Sequence, residues 1–180
     1  MVYLFLANGF EEIEALYVLD LLRRAGVETL SVGVSGKIAM GSHKIPVTCD
    51  ITTSELPFTA DFDMIILPGG LPGSTNLDSD ESVDRYIDLA SKNGKLICAI
   101  CAAPFILGKR GLLDGKDATC FPGFESQLTG AKIKDAGVVR DGNIITGRAM
   151  GSAHEFALAI IEALLGKDAS EKMKKAIILK

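Results

Sequence analysis

The sequence predicts an α/β fold: a mostly parallel sheet with helices on both faces, three layers in one domain spanning residues 1–180. Three observations predict it. Short apolar runs at 2–7, 64–67 and 95–100 lack polar alternation, as strands buried on both faces do. Longer stretches of helical periodicity fall between them. Glycine or Asn-Gly punctuation closes most segments. Strands alternating with helices in this way connect by crossovers, and crossovers make parallel sheets.

The elements follow in order. Val2 to Ala7 reads as a buried strand, broken by Asn8-Gly9. A helix runs from about Glu11 to Ala25 and stops at Gly26. Glu28 to Val34 is the next strand. Gly36 to Cys49 is a hairpin excursion, with turns at Ser35-Gly36 and Gly41-Ser42. Met64 to Leu67 is a strand closed by Pro68-Gly69-Gly70. Ser79 to Asn93 is helical, Lys95 to Ile100 a strand, and Ala102 to about Arg110 a helix. Short strands are expected at Ala118 to Phe121, around Lys132 and Val138, and at Ile144 to Thr146. Gly151 to Leu165 is an apolar helix, and a short terminal helix leads to Ala176–Leu179.

A chain of 180 residues with a net charge of −4 fits one domain and argues against nucleic acid as the main partner. No apolar run approaches the ~20 residues of a membrane span. The start, MVYLFLANGFEE, has neither a basic region nor a small-residue cleavage site, so a cytoplasmic protein is expected. In that compartment Cys49, Cys98, Cys101 and Cys120 are expected as free thiols. Cys98-x-x-Cys101 has no second cysteine pair or paired histidine to complete a zinc site, and neither a metal nor another cofactor is expected.

Ligands of parallel sheets sit beyond the carboxyl ends of the strands. Three such ends carry chemistry here: Asn8-Gly9 with its glutamates, the glycine turn, and Cys101. At 100° per residue, Glu14 shares a face with Val18, Leu21, Leu22 and Ala25. A carboxyl group on a buried stripe has a raised pKa unless it is paired. Glu11 and Glu12 are explained by the positive end of the helix alone. The opposite face carries Ile13, Leu16 and Tyr17, so a homodimer packed through this helix is expected.

The turn after Met64–Leu67 lacks both GK[ST] and GxGxxG, so it reads as an oxyanion-binding turn through Gly69 and Gly70 or as a plain tight turn. Cys98 lies within a strand and reads as core; Cys49 and Cys120 read as inert. Cys101 stands where a strand ends and a helix pattern begins, a position that favours a reactive thiolate. A Cys–His pair is not evident. His43 falls in the hairpin and is expected exposed; His154 lies on the stripe His154, Leu158, Ile161, Leu165 and reads as a packed or interface residue.

These residues carry a resemblance. ANGFEEIEALYVLDLLRRAG, DMIILPGG, LICAICAAP and the stretch EFALAIIEALLGK resemble, in order and spacing, the ThiJ/PfpI superfamily and its DJ-one branch, over nearly the whole chain. The resemblance implies a flavodoxin-like homodimer. It implies a reactive cysteine on a strained elbow at Cys101, hydrogen-bonded by a protonated glutamate at Glu14. Backbone N–H groups at Gly70 and Ala102 would form the anion pocket, and Cys49 would lie near the dimer interface.

Two departures limit what is carried over. Ala102 stands where the protease-like branch has a histidine, so peptidase activity is not expected. Phe121 stands where some members carry a pocket histidine. The family's activities then imply a cysteine-dependent stress-response protein acting on reactive aldehydes, as a glutathione-independent glyoxalase or a deglycase acting on early glycation adducts. Two alternatives stand beside it: a redox sensor or chaperone whose Cys101 oxidises to sulfinate, and a dimeric protein that binds a small anion.

Overall fold

The computed structural model describes residues 1–179. Its central sheet has seven strands. In chain order these are β1 (Val2–Leu6), β2 (Thr29–Gly33), β5 (Ile51–Thr52), β6 (Met64–Leu67), β7 (Leu96–Ile100), β10 (Val138–Asp141) and β11 (Ile144–Gly147). Across the sheet they run β10-β11-β7-β6-β1-β2-β5, parallel except for β10 against β11. A hairpin of β3 (Ile38–Met40) and β4 (Pro46–Thr48) stands apart, as does a parallel pair of β8 (Asp117–Ala118) and β9 (Lys132–Ile133).

The period of two along each strand sorts the core into two layers. Tyr3 and Phe5, Ile65 and Leu67, and Ile97 and Ala99 pack on one face. That face is covered by α2 (Gly73–Ser79), α3 (Glu81–Lys92) and α4 (Pro104–Lys109). Leu4 and Leu6, Met64 and Ile66, and Cys98 and Ile100 pack on the other. That side is covered by α1 (Glu12–Arg24), α5 (Ala153–Leu165) and α6 (Lys167–Ala176). With both faces covered, the strands have no polar side, which is why their sequences do not alternate.

Several boundaries differ from expectation. GSTNLDS forms α2, a helix too short and too polar to show periodicity. The next helix begins at Glu81 because Asp80 caps it, accepting from the N–H groups of Ser82 at 2.9 Å and Val83 at 3.0 Å. The helix expected from Ala102 starts at Pro104, where proline costs no hydrogen bond at the first helical position. The strand expected over 118–121 is only the two residues of β8, and β5 at the sheet edge was not expected at all. The helix expected from Gly151 is preceded by a 3₁₀ turn, Met150–Ser152.

Among the described residues no helix is long and apolar enough to cross a membrane.

Candidate functional site

Glu14 sits in the first turn of α1 and is 1% exposed. Glu11 caps this helix, accepting from the N–H of Glu14 at 2.7 Å, which fixes the direction in which the Glu14 side chain leaves. The carboxyl group faces the glycine turn, where Oε2 accepts from the Gly69 N–H at 3.0 Å. Oε1 is buried without a hydrogen-bond partner, and the Cys101 thiol and the Met150 N–H lie near the carboxyl group.

Cys101 follows the last residue of β7. Its φ is +67°, a left-handed backbone that costs a non-glycine residue about 1–2 kcal/mol. The surroundings over-determine it. Its N–H donates to the Gly147 carbonyl at 2.9 Å, its own carbonyl accepts from Phe121 at 2.7 Å, and Ala103 donates back to Ile100 at 3.1 Å. The result is an elbow that turns the thiol out of the sheet toward Glu14.

The glycine turn completes the site. Gly69 leaves no room for a side chain: a Cβ there would stand 2.5 Å from Glu14 Oε2 and 2.6 Å from the Cys101 Cβ. Gly70 has φ +87°, and its N–H, with that of Ala102, is directed at the sulfur. The Gly69 N–H, expected with Gly70 as a pocket donor, is instead taken by Glu14. The Gly69 carbonyl accepts from Glu11 at 2.9 Å and the Gly9 carbonyl from Gly73 at 3.1 Å, so the Asn8-Gly9 end with its glutamates and the glycine turn are tied to each other.

Burial pushes the Glu14 carboxyl up to about 7, and the neighbouring Glu11 charge adds to it. The thiol hydrogen bond and the N–H groups of Gly69 and Met150 pull the other way. Burial also pushes the Cys101 thiol well above the free-thiol range, followed by the charge of Glu14 and the hydrogen bond to it. Ala102 and Gly70 N–H groups oppose this. The helix expected directly after Cys101 starts three residues later, and burial is the largest of the effects on the thiol. Both contributions from Glu14 require it to be ionised. A proton on Glu14 removes the charge and turns the carboxyl into a donor, so the pair competes for one proton.

The other sequence candidates lie apart. Cys98 is fully buried in β7, with its thiol pushed far up by burial. Cys120 is buried on the opposite face of the sheet from Cys98, and burial pushes it to about 11. Cys49 is 2% exposed, beneath the hairpin. His154 is half-buried beside Glu155 at 3.9 Å. Ile13 is 49% exposed and Leu16 and Tyr17 are half-buried.

The sequence missed a constellation at the start of α1. Glu12, expected as a plain first-turn acid, is 4% exposed. Its carboxylate accepts from the His43 N–H at 2.7 Å and from Ser42 Oγ at 3.1 Å, and lies 3.0 Å from His43 Nδ1. This pins the hairpin tip to α1. Among the described residues Glu11, Glu12 and His43 are also a grouping with metal-ligand spacing, yet the Glu12 oxygens are already engaged by the hairpin. Nothing in the sequence marks a contact across 31 residues.

Comparison with known proteins places the chain in a family. The family model of the DJ-1/PfpI family matches residues 1–163. The protein dj-1beta of Drosophila melanogaster is 37% identical over 177 residues, covering 97% of this chain and 94% of that one. A glutathione-independent glyoxalase of Caenorhabditis elegans, DJR-1.2, is 34% identical over 174 residues, with 94% and 90% covered. DJ-1 homologs B and A of Arabidopsis thaliana are longer, and the chain spans 40% and 45% of them. Among solved structures, a DJ-1 superfamily protein of Salmonella typhimurium superposes with a TM-score of 0.94 at 36% identity, covering 99% and 98% of the two chains. An oxidized DJ-1 of Toxoplasma gondii gives 0.94 at 33% identity, with 98% and 97% covered. With the flavodoxin-like sheet, the elbow at Cys101 and a match of this length, the chain belongs to the DJ-1/PfpI family.

Proposed function

We propose that this chain converts small reactive aldehydes such as methylglyoxal to hydroxy acids without glutathione. The observation that carries the reading is the placement of the buried Glu14 carboxyl beside the Cys101 elbow, with the Gly70 and Ala102 N–H groups directed at the sulfur. The name of the Caenorhabditis elegans relative supports it.

The Cys101 thiolate adds to the aldehyde carbon and the C=O bond opens to an oxyanion. Gly70 and Ala102 N–H groups stabilise that oxyanion, and Glu14 protonates it to the hemithioacetal. Glu14, now ionised, removes the carbon-bound proton to give the enediol and returns it to the neighbouring carbon. The product is a thioester of lactate. Water hydrolyses it, releasing lactate and restoring the thiol. Methylglyoxal plus water gives lactate, so no redox partner is needed. A carboxyl near 7 holds or gives up a proton with equal ease at neutral pH, which suits both steps. Glycated amines, whose carbon skeleton begins as the same carbonyl adduct, are the related substrate class.

Turnover of methylglyoxal by the wild type and by Cys101→Ser tests this. The substitution should abolish lactate formation; equal rates in the two would end the reading.

A second reading rests on Phe121. Its N–H bonds the Cys101 carbonyl, so its side chain leaves the backbone beside the site without an imidazole. His43 is paired with Glu12 and His154 lies beside Glu155, so neither supplies one. A site short of a base suits a sensor in which Cys101 oxidises to sulfinate and is held by Glu14 and the same N–H groups. Mass spectrometry after mild peroxide separates the two readings: a sensor is modified at Cys101 and shows no turnover, whereas oxidation confined to Cys49 and Cys120 would exclude it.

The protein is also proposed to act as a cytoplasmic homodimer through Ile13, Leu16 and Tyr17.

A further inference from the structure

We infer that Asp78 is a positioning residue for Cys101, acting through an ion cluster that locks the two short helices leaving the site. The inference rests on the reading of Cys101 as the working thiol. It does not depend on which aldehyde is converted, or on whether there is turnover.

Two loops bring donors to the sulfur, and each continues into a short helix. The glycine turn runs into α2, seven residues long, anchored at its start by Ser74, whose N–H and hydroxyl donate to the Gly70 carbonyl at 2.9 and 2.8 Å. The elbow runs into α4, six residues long. Helices of one or two turns hold their own orientation poorly, because each makes few internal hydrogen bonds. Gly70 and Ala102 must nonetheless keep their N–H groups on one sulfur, and Cys101 must stay at φ +67°.

The far ends of the two helices meet at Asp78. Its carboxylate accepts from Lys109 Nζ at 2.6 Å and from Arg110 Nη1 at 2.7 Å. Arg110 extends the tie to α3 through Asp84 Oδ1 at 2.8 Å, and donates to the carbonyls of Ile106 at 2.9 Å and Asp78 at 3.3 Å. The Asp78 side chain is only 8% exposed and that of Arg110 18%, so the bond between these two is shielded from the water and salt that weaken surface pairs, while Lys109 and Asp84 reach it from the exposed rim. The cluster thus fixes α2 relative to α4, and with them the Gly70 N–H relative to the Cys101 elbow.

The charged groups on this path are few. Lys109 and Arg110 face Asp78, Asp84 faces Arg110, Glu14 acts on Cys101 and Glu11 acts on Glu14. This gives the test a sign. Removing the negative charge of Asp78 leaves Lys109 and Arg110 less compensated, and by charge alone that favours a thiolate and lowers the pH at which Cys101 reacts. Loss of positioning does the reverse, because the N–H groups that favour the thiolate drift off.

The experiment is the pH dependence of Cys101 alkylation by iodoacetamide, followed by intact mass, in the wild type and in Asp78→Asn. Positioning predicts a midpoint raised by about half a unit to one unit, which slows alkylation about threefold to tenfold at pH values below it. Asp78→Glu should restore part of the loss. Asp88→Asn, which breaks an exposed pair with Lys92, should leave the midpoint where it was. An unchanged or lowered midpoint in Asp78→Asn overturns the inference, even if its melting temperature falls. Should Asp78→Asn fail to fold, Arg110→Lys serves instead, since it keeps the charge but loses the fork that reaches Asp78 and Asp84 together. It should also raise the midpoint, and a midpoint unmoved there overturns the inference as well.

Discussion

The Gly69 N–H donates to Glu14 Oε2 at 3.0 Å across 55 residues of chain, and this bond ties the buried carboxyl group to the glycine turn beside Cys101. It also makes Glu14 a stability group. Its ordinary value is 4.5 and its folded value about 7, so the folded state holds the proton more tightly. Stability from this group is then fully present below about 4.5, is lost as pH rises through about 7, and is flat above that. The difference of about 2.5 units corresponds to roughly 3 kcal/mol. His43, raised by its pairing with Glu12, loses stability in the same direction but in a higher window, beginning near its ordinary 6.5. Glu14→Gln should therefore flatten the fall in urea midpoint between pH 4.5 and 7 and leave the fall above it. The same variant cannot give up a proton and should lower lactate formation by about a hundredfold or more. An unaltered slope would show that Glu14 is not held near neutrality.

Gly69→Ala tests the close approach itself. The added methyl would lie within 2.6 Å of both Glu14 Oε2 and the Cys101 Cβ, and the Ile100 carbonyl at 3.0 Å bars retreat. The expected cost is about 1–3 kcal/mol, with the site opened as the turn shifts. Calorimetry gives the first number and the alkylation rate of Cys101 the second.

Phe121→His tests what the missing imidazole costs. The residue is 43% exposed, so the exchange should be tolerated in the fold. Its backbone is bonded to Cys101, so an imidazole there starts from the rim of the site. A general base in reach should raise kcat for methylglyoxal by about tenfold or more, with a new pH dependence near 6.5. No gain in rate would mean that Glu14 alone limits proton transfer.

Much of this site was legible in the sequence, for physical reasons that differ by residue. Cys101 was found because the strand ends there, and Glu14 because a carboxyl group broke an apolar face at helical spacing. Periodicity is local and survives in one dimension. The Glu12–His43 and Asp78–Arg110 ties were not legible, since each joins residues about 30 apart through side chains that are ordinary surface types. Helix α2 escaped because its glycine, threonine, asparagine and serines give no stripe. The burial around the Cys101 thiol was not legible, because burial is a property of packing, whereas the strand end is a property of sequence.

Ile13 carries the last prediction. It is 49% exposed on α1, with Leu16 and Tyr17 half-buried beside it. The hairpin pinned to the start of α1 adds Met40 at 40% and Ile45 at 51% exposed. Exposed apolar groups on two tied elements offer a surface that a second copy is expected to cover, since exposed apolar surface favours association. Ile13→Glu places a charge at its centre without disturbing the buried face of the helix. The expected outcome is a monomer in sedimentation velocity at micromolar concentration where the wild type is a dimer, with circular dichroism unchanged. A variant that still sediments as a dimer would move the interface elsewhere, and a wild type that is already monomeric would remove it.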